Sequence, residues 1–374
     1  MLMAQLAALP WLTTRSRFAG LSRGRARLGL VLLAFLLAAC LTALAVPDPG
    51  AIGAATAAET GQTDLALYEK IVAAVRGGEN YYVAAADALR AGQYPLRPFF
   101  TFRMPALASA LAAVPHWLPV RYLLYALVLC VAGAWADRLR GELTRPLPTV
   151  AALVLMLGSL LVFLQAELAP FHEIWAALLI ALSLALRRPG RWIEAVAIGL
   201  AAMLIRETAA LYVVIMAVFA WTEGERREAL GWGLALGLFA AALGAHAWAV
   251  AGVTGPTDPA SPGWAGLLGF GFFVKTVTLA TGLYMMPIWA GALLVGLSLF
   301  GWASWSDTLG LRMFAMLAAY AAAIGVFARL DTFYWGLMTA PVFLLGLLFA
   351  PAGIRDLVRQ SLDKRRITVT RVPR

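Results

Sequence analysis

Ten apolar runs separated by short polar turns dominate the chain, at approximately 28–46, 118–136, 147–165, 170–187, 192–205, 208–221, 230–252, 283–303, 309–328 and 333–350. Most approach the roughly 20 residues that an α-helix needs to cross a bilayer core. The fifth and sixth runs are each too short to cross alone, and they meet at Arg206-Glu207-Thr208. The pattern predicts two short helices that turn at this polar triplet. The competing reading, one buried helix with a charged middle, would invert everything downstream. The expected fold class is therefore an all-α, polytopic transmembrane bundle with a large first loop containing short helices.

The long segment 47–117 begins Gly/Ala/Thr-rich, which predicts irregular structure. From Asp64 the sequence DLALYEKIVAAVRGG places Leu67, Ile71 and Val75 on one helical face. Thr63 or Thr60 is positioned to cap this helix, and Gly77-Gly78 to end it. A second helix is expected over 81–91. The stretch YPLRPFFTFRMP carries three prolines and excludes regular helix. A short helix follows at 105–113. The segment 253–282 reads as a second loop with a helix lying in the membrane interface. Residues 28–46 also have the form of a secretory signal, with Ala43-Leu44-Ala45 at the cleavage position, but the apolar run is long for one and favours an uncleaved anchor.

Composition agrees with the pattern. The chain has 374 residues, 62% of them hydrophobic and 13% charged, where a soluble domain is nearer half apolar and a quarter charged. A net charge of +10 would fit a nucleic-acid binder, but its distribution excludes that partner. With ten spans, 21 of the 30 Lys and Arg residues fall on the side holding both termini, which is the positive-inside pattern. The organisation expected is a basic cytoplasmic N-terminus (1–27), one membrane domain (28–350) with outer loops 47–117 and 253–282, and a basic cytoplasmic tail (351–374). The setting would be a plasma (inner) membrane. Cys40 and Cys130 fall at different depths, so no disulfide is expected. No CxxC or HExxH pattern points to a metal or other cofactor, although a divalent ion is compatible with the acids present.

Acidic residues on the inner side (Asp137, Glu142, Glu223, Glu225, Glu228) mostly neighbour Arg and read as solvated loops. The outer side carries Asp64, Glu79, Glu167, Glu173, Glu207 and Asp331, several of them at the membrane boundary. The same side carries Arg97, Arg103, Arg206, Lys275, Arg329 and His172. An acid with basic groups beside it suits a reaction in which a hydroxyl loses a proton while a phosphate leaves, and Arg can hold phosphate through two bonds. Plainer readings stand beside these. Asp64 suits the positive end of a helix, His172 and Glu173 suit a membrane boundary, and Arg206–Glu207 and Arg329–Asp331 suit local ion pairs. Tyr68, Tyr82 and Tyr334 fit an interfacial aromatic belt as well as sugar contacts.

With these residues in view, the chain resembles the C-type (GT-C) membrane glycosyltransferases, which use polyprenyl-phosphate-linked sugars. The likeness rests on three places. TDLALYEKI, GENYY and YPLRPFFTFRMP are similar to the family's D-x-x-x-Y helix, G-x-x-Y-Y turn and Pro-rich return. HEIWAALLIALSLAL is followed by RRPGRW and the short-helix pair around Arg206. RLDTFYWGLMTAPVFLLG is similar to the family's Arg/Tyr start of a late span with an internal proline, here Pro341. The resemblance implies that Asp64 is the catalytic base of sugar transfer to an acceptor hydroxyl at the outer face. Departures are the missing C-terminal soluble domain and the lack of a paired D-x-D or E-x-D in the first loop. Two other classes fit the layout: a transporter or flippase, and a non-catalytic membrane scaffold.

Overall fold

The computed structural model describes residues 12, 14–48 and 63–363. The irregular start of the first loop, the alternative cap Thr60 and the tail from residue 364 lie outside the described residues. What is described is an all-α bundle, with only isolated backbone bridges and no strand. Six helical stretches are long and apolar enough to cross a membrane: Arg23–Ala45, Trp117–Leu139, Pro146–Leu164, Arg226–Ala251, Thr308–Phe327 and Leu330–Leu348. The remaining four runs form the shorter apolar helices His172–Leu186, Ile193–Ile205, Glu207–Thr222 and Ile288–Ser304. The chain is thus a helical membrane protein.

In chain order the α-helices are α1 (Arg23–Cys40), α2 (Asp64–Arg76), α3 (Tyr81–Ala91), α4 (Pro105–Ala112), α5 (Trp117–Leu139), α6 (Pro146–Leu160) and α7 (His172–Leu186). They continue with α8 (Ile193–Ile205), α9 (Ala210–Thr222), α10 (Arg226–Ala251), α11 (Gly269–Leu279), α12 (Ile288–Ser304), α13 (Thr308–Phe327) and α14 (Ala350–Leu362). Between α13 and α14 runs the 3-10 helix Leu330–Leu348. Helices α1, α5, α6 and α10 leave apolar side chains such as Val31, Phe35, Leu129, Leu153 and Leu234 exposed. In water that surface would be an unusually large apolar patch; in lipid it is the expected solvent contact.

The centre belongs to α7, which packs against α5, α8 and the 3-10 helix. Small residues, Ala176, Ala177, Ala181 and Ala185, let its neighbours approach closely. The 3-10 helix comes into backbone contact with α12. A Cβ on Gly301 would lie 1.8 Å from the Gly346 carbonyl oxygen, so no larger residue fits. Pro341 has no N–H to give. Just beyond it, neighbouring side chains bond the backbone: the Phe343 carbonyl accepts from Trp302 Nε1 at 2.9 Å, and Ser159 Oγ accepts from Leu344 N at 3.0 Å.

Helices α8 and α9 fold back on each other, with Gly199 facing Val213. Arg206 between them is extended, at φ −139° and ψ 113°, so the single-helix alternative does not hold. Each has 13 residues and spans roughly 20 Å, against a core of about 30 Å. Neither is long enough to cross that core alone.

Two expectations are corrected. Helix α11 does not lie in the interface: Phe272 through Thr278 are buried, packed against α12, α13 and the 3-10 helix. Glu228 is not a solvated loop acid. It is 1% exposed and receives two hydrogen bonds from Arg187, at 2.9 and 2.7 Å. Arg312, also buried, pairs with Glu223 and approaches Glu228 at 3.6 Å. This balanced network joins α7, α9, α10 and α13 at one end of the bundle. The tail segment begins within α14. Asp356 of α14 accepts from Ser16 Oγ at 2.8 Å, and Gln360 donates to the Ala19 carbonyl at 2.6 Å. The N- and C-terminal segments therefore meet at this basic end.

Candidate functional site

The opposite end carries the first loop and a cavity of about 920 Å³. Local sequence sets its frame. Thr63 Oγ1 accepts from Ala66 N and starts α2, which fixes Asp64 in the first turn. Asn80 caps α3 by accepting from Tyr82 N at 2.9 Å. The prolines then hold 94–104 out of α-helix, with only a 3-10 turn at Phe99–Thr101, and this segment lines the cavity. It is clasped to the second loop. Arg90 donates to both oxygens of Asp258 at 3.0 and 2.8 Å, and these bonds hold Asp258 down at about 2. Leu96 N and Ser261 N continue the clasp, bonding to the Pro259 and Arg97 carbonyls at 2.9 and 2.7 Å.

Asp64 lines the cavity, partly buried, and its Oδ1 accepts a hydrogen bond from Tyr94 Oη at 2.8 Å. Burial raises its pKa above the ordinary aspartate value; the Tyr94 bond and the Arg103 charge oppose that rise without cancelling it. The acid is thus held above the ordinary carboxylate range.

Across from it lie two guanidiniums and two carboxylates. Arg206, 2% exposed, meets Glu173 at 2.7 Å through Nε and also pairs with Glu207. Glu173 is fully buried on the first turn of α7. Arg103 sits 3.8 Å from both carboxylates and donates through Nε to Tyr68 Oη at 3.1 Å. Burial pushes the Tyr68 phenol up to about 12, so it stays neutral. Arg206 is held tightly by carboxylates; Arg103, with longer ion pairs and 14% side-chain exposure, is the guanidinium better placed to meet an anion.

His172, Tyr334, Arg329 and Asp331 also line the cavity. Arg329 and Asp331 pair through two bonds, at 3.0 and 2.5 Å, as the plainer sequence reading has it. Other candidates lie elsewhere. Glu79 and Glu167 are exposed and do not line the cavity. Tyr82 turns away to His246 Nδ1 at 3.2 Å. Arg97 is exposed and donates to the Asp258 carbonyl at 2.9 Å, serving the clasp. Lys275 is buried on α11, where it holds the Val46 carbonyl at 2.6 Å and Asp48 at 2.7 Å. Its partners lie just past the end of the first span, and Lys275 itself does not line the cavity.

Sequence reasoning missed Tyr94, which orients Asp64 from 30 residues away, and the Arg206–Glu173 contact between different helices. No local spacing signals either. It also missed the apolar wall, made by Leu211 of α9, Leu243 of α10, and Ala323 and Phe327 of α13. Helix α9 packs against both α10 and α13, and Phe327 is half exposed. The cavity therefore has a charged floor and an apolar side built by α9, α10 and α13. Among the described residues no group of three His, Cys, Asp or Glu is arranged to hold a metal. No family model, curated protein or solved structure matches the chain.

Proposed function

We propose that this chain is a glycosyltransferase of an inner membrane, with both termini cytoplasmic and the cavity facing outward, transferring a sugar from a polyprenyl-phosphate donor to an acceptor hydroxyl. The observation that carries the reading is the composition of a single cavity. A Tyr94-oriented Asp64 and the guanidinium of Arg103 share one chamber whose wall is apolar on the side toward lipid. A donor with a charged head and a long apolar tail matches that division.

In the proposed reaction the Asp64 carboxylate takes the proton of the acceptor O–H. The oxygen attacks the sugar C1 from the face opposite the phosphate. The C1–O bond to phosphate breaks with its electron pair on the phosphate oxygen, and Arg103 receives the developing charge. Glu173 and Arg206 hold Arg103 and Glu207 in place. The stereochemistry at C1 inverts.

The test is transfer from a panel of polyprenyl-phosphate sugars in membranes holding equal amounts of protein. Asp64→Asn keeps size and polarity but removes the base, and is expected to lower transfer by about 10²–10⁴-fold with unchanged membrane abundance. Wild-type rates in that variant would sink the assignment.

A further inference from the structure

Enclosed side-chain polar atoms without a hydrogen-bond partner are costly, about 1–3 kcal/mol each. Among the described residues, and leaving out ionised groups, they occur in five: Thr101, His172, Thr208, His246 and Trp335. The second nitrogen of His246 is satisfied by Tyr82. The other four all line the same cavity, and all stand beside its charged floor. Thr101 is two residues before Arg103, and His172 directly precedes Glu173. Thr208 is two residues after Arg206, with its carbonyl fixed by Tyr320 Oη at 2.9 Å. The Trp335 ring lies under the Arg206 guanidinium, 5.9 Å from it.

We propose that Thr101, His172, Thr208 and Trp335 form a neutral hydrogen-bonding site for the hydroxyls of an uncharged sugar. This site rests on the glycosyltransferase reading and specifies its substrate. Two threonine hydroxyls, an imidazole and an indole N–H supply both donors and acceptors. A hydroxyl, which also gives and accepts, uses such a set fully; a phosphate, which only accepts, does not. Thr101, Thr208 and Trp335 are part-exposed as residues although these atoms are enclosed, so the site requires a side-chain rotation at each to meet the ligand. His172 is 3% exposed, with both ring nitrogens unpartnered, and anchors the set.

Charge excludes an acidic sugar. Asp64, Glu173 and Glu207 face Arg103 and Arg206, while Asp331 is balanced by Arg329. With Asp64 deprotonated, as the base must be to act, the floor carries one carboxylate in excess, and the donor's phosphodiester adds a second negative charge. A uronate on the sugar would add a third within one chamber, where like charges repel strongly.

The experiment uses the full-length protein in bilayer nanodiscs and measures affinity for polyprenyl phosphate without sugar, with a neutral hexose and with a hexuronic acid. The wild type is expected to prefer the hexose lipid over the sugar-free lipid, and the uronate lipid is expected to gain nothing. Thr208→Val, Trp335→Phe and His172→Asn should each reduce the hexose preference by roughly 3- to 10-fold and leave sugar-free lipid affinity unchanged. That second readout separates a sugar contact from damage to the fold. Equal affinity of the wild type for hexose and sugar-free lipids overturns the site, as does equal weakening of both lipids in the variants. Hexose preference without any transfer overturns only the enzyme reading, and transfer without hexose preference overturns only this site.

Discussion

At the scale of single residues, Asp64 sits on the first turn of α2, and Tyr94 Oη donates to its carboxylate at 2.8 Å. The sequence TDLALYEKI shows a cap followed by an acid on the first turn, and the structure has Thr63 capping and Asp64 beside it. That Asp64 would be bonded by Tyr94 depends on a Pro-rich return with no periodicity to read. The environment has a consequence for pH. Burial raises the Asp64 pKa, with the Tyr94 bond pulling it back. A base works only once deprotonated, so the acid limb of kcat/KM is expected above the roughly 3.9 of a free aspartate. Tyr94→Phe removes the bond that favours the carboxylate, and should move the limb to still higher pH. For stability the sign is the other way round. A raised native pKa means that the protonated acid is the better fit, so this contribution is present at low pH and is lost as pH rises through the native value. Rate profiles of wild type and Tyr94→Phe decide the matter; a limb moving to lower pH would reverse the assignment of the hydrogen bond.

At the scale of elements, apolar run length predicted nearly every helix, because lipid forces each spanning segment to satisfy its own backbone. It failed where burial is by protein instead of lipid. Helix α11 is apolar around most of its surface, and an apolar run beside a lysine looks the same whether it lies on the membrane or inside the bundle. The inner acids failed for a related reason. Glu223 and Glu228 sit in a charged stretch, EGERRE, that reads as a solvated loop, yet Glu228 closes against Arg187 and Trp232 Nε1, the latter at 3.2 Å. Because Arg187 and Arg312 are also buried, Glu228→Gln leaves uncompensated cationic charge and should cost about 3–5 kcal/mol. Thermal unfolding in detergent should show the loss, with transfer per folded molecule retained because the network lies at the far end from Asp64. Replacing the buried pair together, as Arg187→Met with Glu228→Leu, should recover much of it. Wild-type stability in Glu228→Gln would mean the network is slack.

At the scale of the whole molecule, the remaining question is which end faces which side of the membrane. The fold puts the two ends in opposition. One gathers α14, the N-terminal segment and the Arg187–Glu228 network; the other gathers the long loop, the clasp and the cavity. Lys and Arg in short loops near span ends favour the cytoplasm, and the end holding both chain termini has most of them. The cavity end has its cations mainly in a long loop, where that rule is weak, and several are neutralised in place: Arg90 by Asp258, Arg329 by Asp331, Lys275 by Asp48. The cavity end is therefore expected outside, where a lipid-linked donor is the available sugar carrier. Single cysteines at Glu79, exposed beside α3, and at Glu225, exposed before α10, test this in a background with Cys40 and Cys130 replaced. An impermeant thiol reagent added to intact cells should label position 79 and spare 225 until the membrane is opened. The opposite pattern would place the cavity in the cytoplasm and remove the reason for a lipid-linked donor, because soluble nucleotide sugars would then have access to Asp64.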